Sequence, residues 1–225
     1  MAEQILALGG AGDTDEQNDR LARYFAGLTG KARPRVLFVP TAVAEDAEAI
    51  VRFYTRYSSF TEPSHLTFFP WPPADLREVA LQQDAILVSG GNTANMLAIW
   101  RVHGFDRVLR EAWDGGIVLG GMSAGMICWF EASVTDSFGP SLEGLRDGLG
   151  FLAGSACPHY DGEERRRPRY RELVADGFPP GIAADDGVGL RFSGRELAEI
   201  VTVRPEAAAY RVDADGETPL EARPI

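Results

Sequence analysis

The sequence is poor in cysteine, in lysine and in long apolar runs, and each shortage excludes a class of protein. Two cysteines, Cys128 and Cys157, are too few for a disulfide framework, and no CxxC pair suggests a zinc site. No apolar run approaches the roughly 20 residues of a membrane helix. The N-terminal segment MAEQILALGG lacks the basic start of a signal peptide. We therefore expect a cytoplasmic protein with no membrane partner.

Positive charge is also scarce. Lys31 is the only lysine, and 22 basic residues against 33 acidic ones give a net charge of −11. Because such a surface repels phosphate backbones, we expect no nucleic-acid partner. The glycine-rich segment GGAG, residues 9–12, imitates a dinucleotide loop, but Asp15 stands where the third glycine of GxGxxG is required. No metal-ligand cluster is visible, so the sequence predicts neither a metal nor a cofactor.

The order of apolar segments indicates the fold class. Short β-type runs alternate with longer helical stretches, and the predicted strands cover residues 5–10, 35–42, 66–71, 84–91 and 115–121. Continuous apolar strands alternating with helices favour an α/β fold, a doubly wound and mostly parallel sheet with helices on both faces. From residue 187 onwards, short antiparallel strands are predicted to extend the sheet edge. We expect one domain over residues 1–225.

The segment GMSAG, residues 121–125, places Ser123 between two glycines where a predicted strand gives way to a helix. This GxSxG pattern is typical of a nucleophile elbow, in which small flanking residues let neighbouring elements close around a strained serine. The amide of Ala124, at the helix start, would point at a developing oxyanion. The alternative interpretation is that Ser123 only caps the helix.

A second glycine-rich loop favours the catalytic interpretation. The segment VSGGNT, residues 88–93, ends another predicted strand and begins a helix with Asn92 or Thr93 as its cap. An oxyanion hole needs two converging amides, and the N–H of Gly91 can approach closely because glycine has no Cβ. Both loops fall at the carboxyl ends of strands, where open α/β sheets bind ligands.

A serine nucleophile needs a general base, and the chain has three histidines. His159 follows a run of small residues and enters a polar loop, which puts it at the carboxyl rim of the sheet, so it is the predicted base. His103 is predicted near a helix end, where it would cap the helix. His65 precedes a predicted strand and would lie at the opposite end of the sheet.

The acid that orients the imidazole is less well determined. Asp161 lies too close to His159 in the chain to be more than a local loop acid, whereas Asp185 and Asp186 follow a short β-type run at the same rim. Asp136 would give the Ser–Asp–His order of α/β-hydrolases, and residue 186 gives Ser–His–Asp. Spacing alone leaves this choice open.

Four segments in this order, GGNTANML, GMSAGMICW, PHYDG and GIAADDGVGL, resemble the signature blocks of the dipeptidase E / cyanophycinase family of serine peptidases. The resemblance covers residues 5–192 and implies a flavodoxin-like fold related to class I glutamine amidotransferases, with serine replacing cysteine. It implies a nucleophile, a base, an orienting acid and two oxyanion amides, namely Ser123, His159, Asp186, Gly91 and Ala124. Family members commonly carry glutamate at the acid position, so Asp136 is kept as the reserve acid.

The resemblance also predicts a substrate, a short peptide with an N-terminal aspartate. Enzymes of the dipeptidase E type hold the aspartate side chain with an arginine downstream of the histidine, and that position falls on Arg166, between Arg165 and Arg167. Pro168 is typical of a first helical residue, which would put this cluster at a helix N-terminus. Asn92 is the second candidate for substrate binding.

Other functions remain compatible with the sequence. Within the enzyme class, these are a cyanophycinase-like enzyme, an aminopeptidase of broader specificity and a serine esterase. From a different class, the chain could be a non-catalytic ligand-binding member of the fold. Either a monomer or a homodimer is expected.

Overall fold

The structure is a computed structural model that describes residues 3–225, so the first two residues of the predicted domain lie outside it. Its helices are α1 (Asp15–Gly27), α2 (Ala47–Tyr57), α3 (Leu76–Leu81), α4 (Thr93–His103), α5 (Phe105–Asp114), α6 (Ala124–Ile127) and α7 (Arg166–Ala175). Its strands are β1 (Gln4–Leu8), β2 (Arg35–Val39), β3 (Glu62–His65), β4 (Ala85–Val88), β5 (Val118–Met122), β6 (Phe130–Thr135), β7 (Glu143–Leu145), β8 (Leu152–Cys157), β9 (Gly181–Ala184), β10 (Val188–Ser193), β11 (Glu196–Thr202), β12 (Ala209–Asp213), β13 (Gly216–Leu220) and β14 (Arg223–Pro224).

The larger sheet confirms the mixed α/β fold. It has eight strands in the order β14-β11-β10-β1-β5-β4-β2-β3. Strands β1 to β5 run parallel to their neighbours among themselves, while β10 and β11 add antiparallel pairs beside β1. The carboxyl ends of the five parallel strands therefore meet at one edge, which is where ligands bind in open α/β sheets.

Apolar side chains cover both faces of this sheet, as its continuous β-type runs predict. Leu6 and Leu8 of β1 pack against residues of α1 and α2, such as Phe25 and Phe53. Alternate residues of β1 face the opposite way, and Ile5 belongs to a core that includes apolar residues of α4, α5 and the second sheet. Two-sided burial explains why the parallel strands lack a polar face.

A second sheet is the main difference from the expected fold. It has six strands in the order β13-β12-β9-β8-β6-β7. Strands β10 and β11 extend the edge of the larger sheet as expected, but the β12–β13 hairpin pairs with β9 in the second sheet. The hairpin covers a strand edge that would otherwise expose unpaired backbone groups. Strand β8 of this second sheet leads directly into the segment that carries His159.

The third strand lies earlier in the chain than expected. The structure places β3 at Glu62–His65, where it pairs only with β2, and the apolar segment 66–69 follows it without strand pairing. Edge strands tolerate proline, so Pro63 is compatible with this position, and tertiary pairing overrides the apolar signal. His65 consequently lies at the carboxyl end of β3, so the prediction that it precedes a strand at the opposite end is wrong.

Candidate active site

Ser123 occupies a strained turn between β5 and α6. Its backbone has φ 55° and ψ −110°, a conformation that side-chain-bearing residues rarely adopt, and its side chain makes no capping hydrogen bond. A Cβ on Gly121 would lie 2.6 Å from the carbonyl oxygen of Val88, and one on Gly125 would lie 2.4 Å from the same atom. Both glycines are therefore needed for β4 to approach the turn, which is the geometry that the GxSxG pattern predicts.

The loop after β4 lies against this turn. A Cβ on Gly90 would be 3.3 Å from the Cβ of Ser123 and 3.9 Å from its Oγ. Gly91 has φ 126°, and a Cβ there would lie 2.1 Å from the carbonyl oxygen of Ala42, so only glycine fits. Within residues 3–225, the backbone N–H groups of Gly91 and Ala124 donate no hydrogen bond to the protein. Two unused donors thus flank the strained serine.

Asn92 is the cap of α4, as predicted. Its side-chain oxygen accepts a hydrogen bond from the N–H of Asn95 at 2.9 Å, and its side-chain nitrogen donates to the carbonyl oxygen of Ser137 at 3.0 Å. The carboxamide is therefore bonded at both ends within the protein, and it holds the β6–β7 loop beside the loop of Gly91. This arrangement supports a structural role for Asn92 rather than the predicted substrate contact.

His159 and Asp186 form a close pair. The Nδ1 atom of His159 lies 2.6 Å from Oδ1 of Asp186, and the two side chains are 21% and 26% exposed. A carboxylate at Nδ1 fixes the ring so that Nε2 is left to exchange protons. Asp186 therefore reaches the imidazole although it is one methylene shorter than glutamate. Asp136 instead lies 4.0 Å from the guanidinium of Arg166 and is mostly exposed.

The strained serine and the histidine are anchored on consecutive residues of one strand end. The N–H of Ser123 donates to the carbonyl oxygen of Leu8 at 3.1 Å, and the N–H of His159 donates to the carbonyl oxygen of Gly9 at 3.1 Å. Adjacent Cα atoms are about 3.8 Å apart, so the two backbones are held side by side. Among the described residues, no hydrogen bond yet joins the Ser123 hydroxyl to the ring, and such contacts often tighten only when substrate binds.

The backbone of Asp186 is braced by two residues that the sequence did not identify as functional. Its N–H donates to Oδ1 of Asp161 at 2.8 Å, and its carbonyl oxygen accepts from Nη1 of Arg204 at 2.9 Å. The same Nη1 lies 2.7 Å from Oδ2 of Asp161, which closes a ring of contacts. Burial opposes the charge of Arg204, but its ion pairs with Asp161 and Asp13 raise its pKa. Asp161 is therefore more than the local loop acid that its position predicts.

Two glycines make room for the carboxylate of Asp186. A Cβ on Gly10 would lie 1.6 Å from Oδ1 of Asp186 and 2.7 Å from Nδ1 of His159, and one on Gly162 would lie 2.1 Å from Oδ2 of Asp186. Gly10 belongs to the segment that imitates a dinucleotide loop. Its glycine is explained here by the space that the histidine–aspartate pair requires.

Asp185, the neighbour of Asp186, has a different environment. It is only 3% exposed, and its Oδ2 accepts a hydrogen bond from the N–H of Ala208 at 2.9 Å. Its Oδ1 has no partner among the described residues. Burial raises the pKa of Asp185 from 3.8 to about 6, and the negative charge of Asp161 adds to the rise. Asp185 is thus a buried carboxyl bonded to the chain ahead of β12 rather than to the histidine.

Arg166 is not the open cation that the substrate prediction requires. Its side chain is 4% exposed, its Nε donates to Oε2 of Glu163 at 2.8 Å, and its Nη1 donates to the carbonyl oxygen of Val134 at 3.2 Å. Helix α7 also begins at Arg166, two residues before Pro168, so the prediction that Pro168 starts the helix is wrong. The neighbouring Arg167 pairs with Glu217.

The other two histidines lie away from this arrangement. Nδ1 of His65 is 3.0 Å from the hydroxyl of Tyr54 on α2. His103 is the last residue of α4, as predicted, and its ring packs beside Phe68. Within residues 3–225, no helix has the length and hydropathy needed to cross a membrane. The same residues contain no group of three or more side chains suited to hold a metal ion.

Comparison of the sequence with known proteins identifies its family. The profile of peptidase family S51 matches residues 5–200. The chain is 46% identical over 213 residues to "Uncharacterized peptidase YgaJ" of Bacillus subtilis (strain 168), covering 93% of this chain and 92% of that protein.

Two solved structures share the fold. A peptidase from an acI-B1 Actinobacterium superposes with a TM-score of 0.69 at 18% identity, covering 99% of this chain and 95% of the other. A peptidase E protein from Listeria monocytogenes EGD-e gives a TM-score of 0.64 at 18% identity, covering 91% and 99%. The profile match and the 46% identity together decide the assignment: this chain is a peptidase that belongs to family S51.

Proposed function

We propose that this peptidase is a serine exopeptidase of short peptides, in which Ser123 is the nucleophile, His159 the general base and Asp186 the orienting acid. The observation that carries the proposal is the 2.6 Å contact between His159 and Asp186 on the strand end that also anchors the strained Ser123. A nucleophile, a base and a group that orients the base are the parts that acyl transfer needs.

The proposed cycle uses only these residues and water. Ser123 Oγ attacks the scissile carbonyl carbon while Nε2 of His159 takes its proton, and the N–H groups of Gly91 and Ala124 donate to the resulting oxyanion. Collapse of this intermediate breaks the C–N bond, and His159 gives the proton to the leaving amine. A water molecule, deprotonated by His159, then attacks the acyl-enzyme, and His159 returns the proton to Ser123 Oγ as the acid product leaves. Asp186 holds the imidazole in one tautomer and stabilises its charged form.

We further propose that the residue released is an N-terminal aspartate. The support is the Arg166–Glu163 pair, because Glu163 presents to the buried guanidinium the same carboxylate that a substrate aspartate would present. The Glu163 side chain is 46% exposed and can leave, whereas that of Arg166 is 4% exposed and fixed. Binding would exchange one carboxylate for another.

The second candidate is a peptidase of broader specificity, and the same contact favours it. If Glu163 keeps its hydrogen bonds to Arg166, no buried cation is left to select an acidic side chain. The two candidates differ in the preference for aspartyl over alanyl substrates. A Glu163→Gln variant has a weaker interaction between residue 163 and Arg166. It is expected to raise the preference for aspartyl substrates only if Arg166 binds the substrate aspartate.

The test is hydrolysis of aspartyl and alanyl p-nitroanilides by the wild type and by Ser123→Ala. Loss of a catalytic serine typically lowers kcat by about 10⁴-fold or more. The matched control is Ser58→Ala, because Ser58 is an exposed serine at the end of α2 and contacts none of the proposed catalytic residues. Undiminished turnover by Ser123→Ala would contradict the mechanism, and the ratio of the two substrates decides between the specificities.

A further inference from the structure

A cavity of about 320 Å³ opens between α1, α2 and the carboxyl ends of β1, β2, β4 and β5. We call it the α1–α2 cavity. Its lining is mainly aliphatic and aromatic and includes Leu8, Leu21, Phe53, Leu87 and Met122. It lies on the face of the larger sheet that packs against α1 and α2, and none of the residues that contact Arg166 lines it.

The α1–α2 cavity borders the residues that the proposed function uses. Gly90 and Met122 line it, and they directly precede Gly91 and Ser123 in the chain. Leu8 also lines it, and the carbonyl oxygen of Leu8 is the acceptor for the N–H of Ser123. A group that reached Ser123 would therefore have this cavity as an immediate neighbour.

The charged groups of the lining are already neutralised. Arg56 lies 2.7 Å from a carboxylate oxygen of Asp15 and 2.8 Å from one of Asp19. Arg52 lies 3.5 Å from a carboxylate oxygen of Glu48, and its side chain is 64% exposed. The rest of the lining is mainly apolar, with Asn18, Ser89 and Tyr57 as its uncharged polar side chains, and it suits an uncharged group better than an acidic one.

The size of the cavity fits a large apolar side chain. Ligand pockets usually start at about 300 Å³, and a cavity of about 150 Å³ already holds a benzene ring. The α1–α2 cavity, at about 320 Å³, therefore has room for the side chain of leucine or phenylalanine.

We propose that the α1–α2 cavity binds an apolar side chain of the peptide substrate, carried by a residue that flanks the scissile bond. The inference rests on the proposed function of Ser123 and adds a selectivity that Arg166 does not supply. It predicts that peptides with leucine or phenylalanine beside the cleaved bond are better substrates than those with alanine. Burial of such a side chain typically changes kcat/KM by about tenfold to about a hundredfold.

The first experiment uses the wild type and two series of dipeptides. Asp-Ala, Asp-Leu and Asp-Phe vary the residue after the scissile bond, and Ala-Ala, Leu-Ala and Phe-Ala vary the residue before it. A rise in kcat/KM of at least tenfold from alanine to the larger residue supports the proposal, and the series that shows it identifies the side of the bond. Equal values in both series overturn it.

The second experiment fills the cavity. Ala49 of α2 lines it and is 9% exposed, so Ala49→Leu is expected to lower the preference for the larger residue at least fivefold. The control is Ala47→Leu, since Ala47 is an exposed residue of the same helix outside the lining and should keep the wild-type preference. An unchanged preference in a folded Ala49→Leu protein, judged by circular dichroism, refutes the proposal. If that variant does not fold, the wild-type series decides.

The experiments distinguish failure of the proposed function from failure of the inference about the cavity. Undiminished turnover by Ser123→Ala, or an inactive wild type on all six peptides, contradicts the proposed function and this inference with it. An active wild type that depends on Ser123 but treats alanine, leucine and phenylalanine alike contradicts only the inference about the cavity.

Discussion

Gly10→Ala tests the proposed triad without replacing any of its three residues. Gly10 does not adopt a positive φ, so its backbone accepts alanine without strain. The added methyl group, however, would lie 1.6 Å from Oδ1 of Asp186 and 2.7 Å from Nδ1 of His159. The substitution therefore acts on the contact between these two residues.

The expected magnitude follows from the overlap. A Cβ essentially never lies closer than 3.0 Å to another heavy atom, so the carboxylate must withdraw by at least about 1.4 Å from a methyl group placed 1.6 Å away. The carboxylate also lies close to Gly162, where a Cβ would be 2.1 Å from Oδ2, so it has little room to move in that direction. In serine proteases, loss of a correctly placed triad acid lowers kcat by about 10⁴-fold, which is about 5.4 kcal/mol of transition-state stabilisation. We expect kcat to fall by about 10³-fold to 10⁴-fold with little change in KM.

The assay is the steady-state hydrolysis of an aspartyl p-nitroanilide across pH 5 to 9. The control is Gly27→Ala in the last turn of α1, where an added Cβ meets nothing within 4 Å. That substitution should leave kcat unchanged and stabilise the fold by about 0.5–1 kcal/mol, because alanine favours the helix. A Gly10→Ala enzyme that folds and keeps more than a tenth of the wild-type kcat would refute the assignment of Asp186 and His159.

Three further predictions follow from the same contacts. Asp186→Asn should lower kcat by about 10⁴-fold and Asp136→Asn by less than threefold, and the opposite order in a p-nitroanilide assay would assign the acid to residue 136. Gly91→Ala should lower kcat by about 10²-fold to 10³-fold with KM nearly unchanged, because a methyl group 2.1 Å from the carbonyl oxygen of Ala42 displaces an oxyanion donor. A variant with the wild-type kcat would show that the amide of residue 91 is not used. The raised pKa of Asp185, about 6 against 3.8, means that the folded state holds the proton more tightly than the unfolded state, so this carboxyl lowers stability as pH rises from about 4 to about 6. Asp185→Asn should therefore increase the free energy of unfolding, measured in urea, by about 1–3 kcal/mol above pH 6 and leave it unchanged below pH 4. A difference in unfolding free energy between variant and wild type that does not change with pH would contradict the raised pKa of Asp185.

The parts of the site that the sequence predicts are those that require a glycine. The GxSxG turn and the loop of Gly91 each bring a glycine so close to a carbonyl oxygen that a Cβ would overlap it. Glycine is therefore required at these positions, and it marks them in the sequence. The place of His159 after a run of small residues predicts that it lies at the carboxyl rim of the sheet, and the structure puts it just after β8. The main sheet followed from the alternation of continuous apolar runs with helices, because parallel strands are buried on both faces.

The parts that were not predictable depend on contacts between distant segments. Arg204 reaches Asp186 and Asp161 from beyond β11, and nothing in its own neighbourhood distinguishes it from other surface arginines. The pairing of the β12–β13 hairpin with β9 is likewise decided by which strand edge is open, not by the hairpin sequence. Arg166 is a further example, since its position in the chain gives no sign that its guanidinium is hydrogen-bonded to Glu163.

Strained backbone conformations occur in the loops that surround the proposed site. Among residues 3–225, the non-glycine residues with positive φ are Ala44, Glu45, Ser123 and His159, in the loops that follow β2, β5 and β8. Such conformations cost of order 1–3 kcal/mol each and persist only where surrounding contacts impose them. The carboxylate of Glu45 supplies one of these contacts by accepting a hydrogen bond from the N–H of Phe69 at 3.1 Å. Glu45 belongs to the loop after β2, in which Ala42 lies against Gly91.

Strain held in this way has a functional consequence. Donors that stabilise an oxyanion are effective only if they are fixed before the charge develops, because reorientation during the reaction would cost the energy that they supply. The loop after β2 packs on Gly91 through the carbonyl oxygen of Ala42, which accepts the N–H of Asn92 at 2.7 Å, and Ser123 and His159 are held on β1. Hydrogen bonds to backbone groups therefore position Ser123, His159, Asp186 and the loop of Gly91. In the proposed mechanism, a substrate aspartate would then displace only the Glu163 side chain from Arg166.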